Sequence, residues 1–225
     1  TFPIKAILLL TALKIPATIT EGGVFLMKIL TTGFAPFGGE TINPSYEAVR
    51  LLPETIGEHR ITKLELPVTF EGTPALLAEK VRALNPDVLI SVGQAGGRPN
   101  ITLERVAINL MDARIPDNDG YSPEDIPVEK DGETAYFTTL PVKKMMEAMN
   151  EAGISTSLSY SAGSYVCNTV MYAGLYLATH EFPGMRSGFI HVPFIPEQLE
   201  GKKEGTPAME LSMIAKGLEI AIKAL

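Results

Sequence analysis

The chain has 225 residues, 45% hydrophobic and 20% charged, the balance of a globular protein able to bury a sizeable core in one α/β domain. Nineteen Lys and Arg against 26 Asp and Glu give a formal charge of −7 with no basic cluster, which argues against nucleic acid as a partner. A single cysteine excludes an intrachain disulfide framework and a Cys-rich zinc site, so the chain reads as cytoplasmic with one thiol free for chemistry.

In chain order, the apolar run from Ala6 to Leu13 lies between Lys5 and Lys14. It is too short for a bilayer, which takes about 20 apolar residues, and its basic flank is thin for a signal peptide. The chain shown starts at Thr1, and a strand-like pattern opens at Met27. Residues 1–26 therefore read first as an extension from an upstream start with no membrane role, and second as a cleavable or anchoring segment, and 27–225 as a single domain. Strands are expected over Met27–Thr32, Ile61–Val68, Asp87–Gly93, Thr102–Leu110, Ser155–Tyr160 and Gly188–Phe194. Helices are expected over Pro44–Leu52, Gly72–Leu84, Val142–Ala152, Val166–Phe182 and Pro207–Ala224. Asn43 and Pro44 form a good helix start, a capping side chain followed by a preset φ. Several strands are apolar on both faces, as when helices cover both sides of a sheet. The alternation predicts a three-layer α/β/α sandwich with a mostly parallel, twisted central sheet. The long Asp112–Thr134 segment, rich in Asp, Pro and Gly, has the length of a functional loop.

In open α/β sheets ligands gather at the carboxyl ends of strands, and four segments end there with unusual residues. Gly33-Phe34-Ala35-Pro36-Phe37-Gly38-Gly39 runs towards Asn43-Pro44-Ser45. It lacks the Gly-x-Gly-x-x-Gly and Walker spacings, so a phosphate cradle is a weak reading beside an apolar pocket wall or a loop pinned by two phenylalanines. Gly93-Gln94-Ala95-Gly96-Gly97-Arg98 offers an amide at a strand tip, or simply a tight turn. Glu104 shares a strand face with Val106, Ile108 and Leu110. An acid on such a face is either satisfied by an arginine such as Arg105 or Arg114, or belongs to a site. Cys167 falls in the first turn of a helix, where free backbone amides and the dipole lower a thiol pKa, although most lone cysteines are inert. His191, near the end of Gly188–Phe194, completes a Cys–His–acid hypothesis, whereas His59 and His180 look like surface residues.

Taken together these segments, with Ala113-Arg114-Ile115-Pro116-Asp117-Asn118, Gly163-Ser164-Tyr165-Val166-Cys167-Asn168 and Ile190-His191-Val192-Pro193, resemble the pyroglutamyl peptidase I (pyrrolidone carboxyl peptidase) family from Met27 to about Leu225. The resemblance implies a cytoplasmic cysteine peptidase that removes N-terminal 5-oxoproline from peptides, needs no cofactor, and forms a homo-oligomer, a tetramer in some members. It implies a triad of Cys167, His191 and Glu104. It places Phe34, Phe37, Ile115, Tyr165 and Val166 around the lactam ring, Gln94 near the cleft, and Arg114 beside the scissile carbonyl, where with the Cys167 amide it would stabilise the oxyanion. Tyr165 stands where the family usually carries phenylalanine. A nucleoside- or phosphate-binding protein, or an inactive scaffold, would use similar strand ends; in either, alkylating Cys167 would change little.

Overall fold

A computed structural model describes residues 18–20, 23–25 and 27–225. Strands β1 (Thr18–Thr20) and β2 (Gly23–Phe25) pair antiparallel. The rest of the expected extension lies outside the described residues.

From Met27 onward the strands are β3 (Lys28–Phe34), β4 (Thr55–Ile56), β5 (His59–Leu66), β6 (Val88–Gln94), β7 (Ile101–Glu104), β8 (Val106–Ile108), β9 (Ala135–Phe137), β10 (Thr156–Ser159) and β11 (Arg186–Val192). The helices are α1 (Pro44–Leu51), α2 (Gly72–Leu84), α3 (Val142–Glu151), α4 (Val166–His180) and α5 (Leu211–Lys223). Seven strands form the central sheet in the order β10-β7-β11-β6-β3-β5-β4. β11, β6, β3 and β5 are parallel; β7 and β10 are parallel to each other, but β7 runs antiparallel to β11, as β4 does to β5.

Strand alternation builds two cores. Ile29, Ile90 and Ile190 face one cluster, with Ala48, Met145 and Leu218 from α1, α3 and α5. Leu30, Leu89 and Phe189 face the other, with Leu77 and Tyr172 from α2 and α4. Successive strand residues point to opposite faces, so a sheet buried on both sides must read as a continuous apolar run, which is what Asp87–Gly93 showed. Helix α4 lies so close to the sheet that a Cβ on Gly174 would stand 2.8 Å from Leu89 and Ser187 side-chain atoms.

Most strand ends shift by one or two residues from expectation, β5 and β11 among them, and three other departures are at a strand break and two helix ends. The Thr102–Leu110 strand breaks at Arg105: β7 stays in the main sheet, while β8 leaves it to pair with β9 in a separate ribbon. Asn168 fixes that departure, its Oδ1 accepting from the Ile108 N–H and its Nδ2 donating to the Ile108 and Leu110 carbonyls. Glu104 thus shares its face with Thr102 and not with Val106 or Ile108. Helix α4 stops at His180, and α5 starts at Leu211 rather than Pro207.

Candidate active site

The tip of β3 and the start of α1 are locked together by small polar side chains. Asn43 caps α1, its Oδ1 accepting from the Ser45 N–H (3.1 Å) and Oγ–H (2.8 Å), while its Nδ2 donates to the Ala35 carbonyl. Ser45 Oγ in turn accepts from the Phe34 N–H at 3.0 Å. A Cβ on Gly33 would stand 2.5 Å from the Tyr46 Cα, so only glycine lets the helix approach this strand. The glycine-rich loop therefore serves close packing and aims Phe34 and Phe37, and the helix start that a phosphate would need is capped from within.

Cys167 is the second residue of α4, after Tyr165 at the cap position and Val166. Its side chain lies against Gly93 of β6: a Cβ there would stand 2.9 Å from Sγ. The thiol departs from the expected acidity. Burial, followed by the negative charge of Glu104, pushes it up to about 12, against the opposing pull of Arg98 and of its own backbone N–H. Desolvation is the largest influence on the thiol at this position, ahead of its charged neighbours and its own backbone N–H.

His191 lies on β11, directly opposite Gly93 on one side and Thr102 of antiparallel β7 on the other. Thr102 and Glu104 share that face, which brings the Glu104 carboxylate under the imidazole. His191 Nδ1 and Glu104 Oε1 are 2.7 Å apart, with both residues buried. Because β7 runs antiparallel to β11, the acid is not at the carboxyl edge of the sheet but reaches His191 from below. Its arginine partner is neither Arg105 nor Arg114: Arg98 Nη1 donates to the same Oε1 at 2.7 Å. Burial alone would raise the Glu104 pKa, yet the bond from His191, the neighbouring Ser159 hydroxyl and Arg98 hold it below its ordinary value. Burial keeps His191 below its ordinary value, with Arg98 pushing the same way and Glu104 opposing. Burial thus favours the uncharged forms of both Cys167 and His191, and a hydrogen carried on Nδ1 would be given to Glu104, leaving the lone pair on Nε2.

Cys167 and His191 open into a cavity of about 160 Å³, walled by Phe34, Phe37, Gln94, Tyr165 and Val166, together with Asn43, Val68 and Ala162. The aromatic wall is braced: Tyr165 lies 5.1 Å from Phe70 in an edge-to-face arrangement and 6.4 Å from Phe37. The Tyr165 hydroxyl donates to the Pro116 carbonyl at 3.0 Å and so ties the wall to the Asp112–Thr134 segment. That segment is organised by buried Asp117, whose carboxylate accepts from the Phe70, Asp119 and Tyr121 N–H groups. Among the described residues no cluster of His, Cys, Asp and Glu has the arrangement of a metal site, and no helix is long and apolar enough to cross a membrane.

A family model for pyroglutamyl peptidase matches residues 27–225. The chain is 53% identical over 199 residues to the pyrrolidone-carboxylate peptidase of Clostridium perfringens, covering 88% of this chain and 93% of that one. It is 54% identical over the same length to the pyrrolidone-carboxylate peptidase of Staphylococcus haemolyticus, with the same coverage. The crystal structure of pyroglutamyl peptidase I from Bacillus amyloliquefaciens superposes with a TM-score of 0.85 at 45% identity, covering 88% of this chain and 94% of that one. A mutant pyrrolidone carboxyl peptidase from Pyrococcus furiosus gives 0.85 at 43% identity, covering 88% and 97%.

The chain belongs to the pyroglutamyl peptidase family.

Members of this pyroglutamyl peptidase family are cysteine-type hydrolases, and the chain has their single-domain α/β fold. Of the residues that the resemblance assigned to the site, the structure brings together Cys167, His191, Glu104, Phe34, Phe37, Gln94, Tyr165 and Val166. Arg114 and Ile115 are not in the cavity wall; both are exposed on the loop that Tyr165 holds, Ile115 at 52%. Three wall residues and one charge were missed. Asn43 was legible only as a helix cap, Val68 and Ala162 carry no chemical signal, and Arg98 sat unread at the end of a glycine-rich turn.

Proposed function

We propose that this chain hydrolyses the bond after an N-terminal 5-oxoproline residue of peptides, with Cys167 as nucleophile, His191 as general base and acid, and Glu104 as the orienting acid. The observation that carries this reading is the buried 2.7 Å contact between His191 Nδ1 and Glu104 Oε1, in a unit whose imidazole shares one apolar cavity with the thiol. With both partners neutral at rest, the thiol proton moves to His191 Nε2 as Sγ bonds to the carbonyl carbon and an electron pair moves onto its oxygen. The Cys167 N–H, free of an intrahelical partner at the second position of α4, is a donor for that oxyanion. Collapse breaks the C–N bond, and the proton on Nε2 leaves with the amine. Water then attacks the thioester, gives its proton to Nε2, and expels Sγ, which takes the proton back. Glu104 keeps Nδ1 protonated throughout.

The cavity suits a neutral five-membered lactam with an apolar ring body and one amide edge. Gln198 Nε2 donates to Gln94 Oε1 at 2.9 Å, which leaves the Gln94 amide donors for the ring carbonyl. Arg114, exposed on the loop, is given no step. Release of a fluorophore from a pyroglutamyl amide, with and without iodoacetamide, tests the reading. Release that iodoacetamide abolishes is expected; release unaffected by complete alkylation of Cys167, or no release at all, overturns it.

A further inference from the structure

Glu104 has no solvent exposure, and a carboxylate taken out of water needs donors or an opposite charge. Both of its donors meet at one oxygen, Oε1: His191 Nδ1–H and Arg98 Nη1, each at 2.7 Å. Its other oxygen, Oε2, has no hydrogen-bond partner among the described residues. Arg98 follows Gly97, whose φ of +88° turns the chain back across the sheet edge. Besides Glu104, its Nη1 donates to Thr102 Oγ1, and its Nη2 reaches the Ser161 carbonyl at 3.4 Å. One guanidinium thus spans the turn after β6, strand β7 and the turn leading into α4. Strand β7 carries Glu104, and the two turns adjoin β6 and α4, which carry Gly93 and Cys167. The charged and titratable groups around His191 are Glu104 from β7, Arg98 from the turn after β6 and Cys167 from α4. β10 adds the hydroxyl of Ser159, in register with Glu104.

We propose that Arg98 is a positioning residue of the catalytic unit: it holds Glu104 anionic, with Oε1 turned to His191, so that the imidazole meets the thiol as a neutral base. The proposal rests on the catalytic reading of Cys167, His191 and Glu104. A buried carboxylate can be neutralised in three ways here. It can take a proton itself, which weakens it as an acceptor and leaves no charge to stabilise the imidazolium that forms in the reaction. It can draw a proton onto His191, which fills Nε2 and leaves no base for the thiol. It can be matched by Arg98, and only this third state keeps both the carboxylate charge and a free Nε2 lone pair. The Arg98 side chain is 32% exposed, so the matching charge stands at the rim while the carboxylate and imidazole remain dry. Lysine would keep the charge but not the planar fork that reaches Glu104, Thr102 and Ser161 together.

The experiment compares wild type with Arg98→Gln, Arg98→Lys and Arg98→Ala. One arm follows kcat and KM for a pyroglutamyl amide against pH. The other follows the rate of Cys167 alkylation by iodoacetamide against pH, which needs no substrate. Arg98→Gln is expected to move the acid limb of kcat/KM to higher pH, to lower kcat with little change in KM, and to slow alkylation at fixed pH by about tenfold, the loss of thiolate for one unit of pKa. Arg98→Lys should keep the acid limb near that of wild type at a reduced kcat. Added guanidinium ion should restore part of the kcat of Arg98→Ala. Acid limb and alkylation profile both coinciding with wild type in Arg98→Gln overturns the proposal, whatever the effect on melting temperature. So does wild-type kcat in Arg98→Lys, the variant that decides the matter if the neutral ones do not fold. A wild-type enzyme that releases no fluorophore refutes the peptidase reading instead, and the alkylation arm still decides for or against Arg98.

Discussion

Gly93→Ala is a one-carbon change that should disable this site without altering the identity of any candidate catalytic residue. The added Cβ would stand 2.9 Å from Cys167 Sγ, 2.7 Å from Phe189 Cζ and 2.9 Å from Phe189 Cε1. Favourable carbon contacts lie at about 3.5–4.0 Å, so the methyl overlaps its neighbours by roughly 0.6–1.3 Å. Phe189 cannot yield: it is fully buried, with its ring 4.8 Å from His191 and 6.4 Å from Phe34. The displacement therefore falls on the thiol, at the open end of the cavity. A shift of about 1 Å in a reacting group costs on the order of 10²-fold in rate, and overpacking of this kind costs about 1–3 kcal/mol of stability. The expected outcome is a kcat/KM for a pyroglutamyl amide about 10²-fold below wild type, with a melting temperature lower by roughly 2–12 °C for a chain of this size. Steady-state kinetics and a thermal melt on the same preparation measure both. Wild-type kcat/KM at an unchanged melting temperature would refute the placing of Cys167 against the β6 strand, and with it the geometry of the site.

His191→Ala should be as inactive as Cys167→Ala, whereas Glu104→Gln, which loses the charge but keeps an oxygen facing His191, should retain measurable turnover; equal loss in all three would show that the acid does more than orient. A prolyl amide should be turned over at least about 10⁴-fold less well than the pyroglutamyl one, because it carries a cation against aromatic walls and lacks the ring carbonyl; a ratio within about tenfold would sink the lactam-reading cavity. The thiol pKa also predicts an alkaline limit to stability. A group raised in the folded state stabilises it fully below its unfolded value of 9.0, and loses that contribution as pH rises from there to about 12. Melting temperatures of wild type should fall across that window relative to Cys167→Ala, and parallel curves for the two would contradict the raised thiol.

Much of this site is written locally and some of it is not. Asn43-Pro44-Ser45 announces a helix start, and the structure puts all three to that use, so the first loop follows from short-range chemistry. The two-faced apolar runs gave the layers, because burial on both sides leaves no room for alternation. The partner of Glu104 was not legible. Residues Arg98 and Glu104 lie six apart in sequence, but a glycine at φ +88° between β6 and β7 decides that they meet. The break at Arg105 was hidden for a similar reason, since every residue from Thr102 to Leu110 suits a strand. What ends β7 is the hold of Asn168, 60 residues away from Ile108, on the backbone of β8. The thiol pKa failed in sign because position at a helix start is a sequence property, whereas desolvation belongs to the assembled cavity.

On the proposed mechanism, the raised thiol changes what kind of nucleophile Cys167 would be. A thiolate stored at rest would react with any electrophile that reached it, and would place a negative charge near Glu104 in a largely apolar cavity. A neutral thiol beside a neutral imidazole costs less to bury. The same burial makes the thiol reluctant to ionise until a carbonyl is in place to take the electron pair. On the proposed reading the aromatic walls would do two things at once: admit an uncharged ring and, with the ring seated, shield the thiol from water. Selectivity and reactivity would then be coupled through one quantity, how far Phe34, Phe37 and Tyr165 cover Cys167. Enlarging that cavity should therefore speed alkylation of Cys167 while it slows peptide hydrolysis, two effects that a site with a preformed thiolate would not separate.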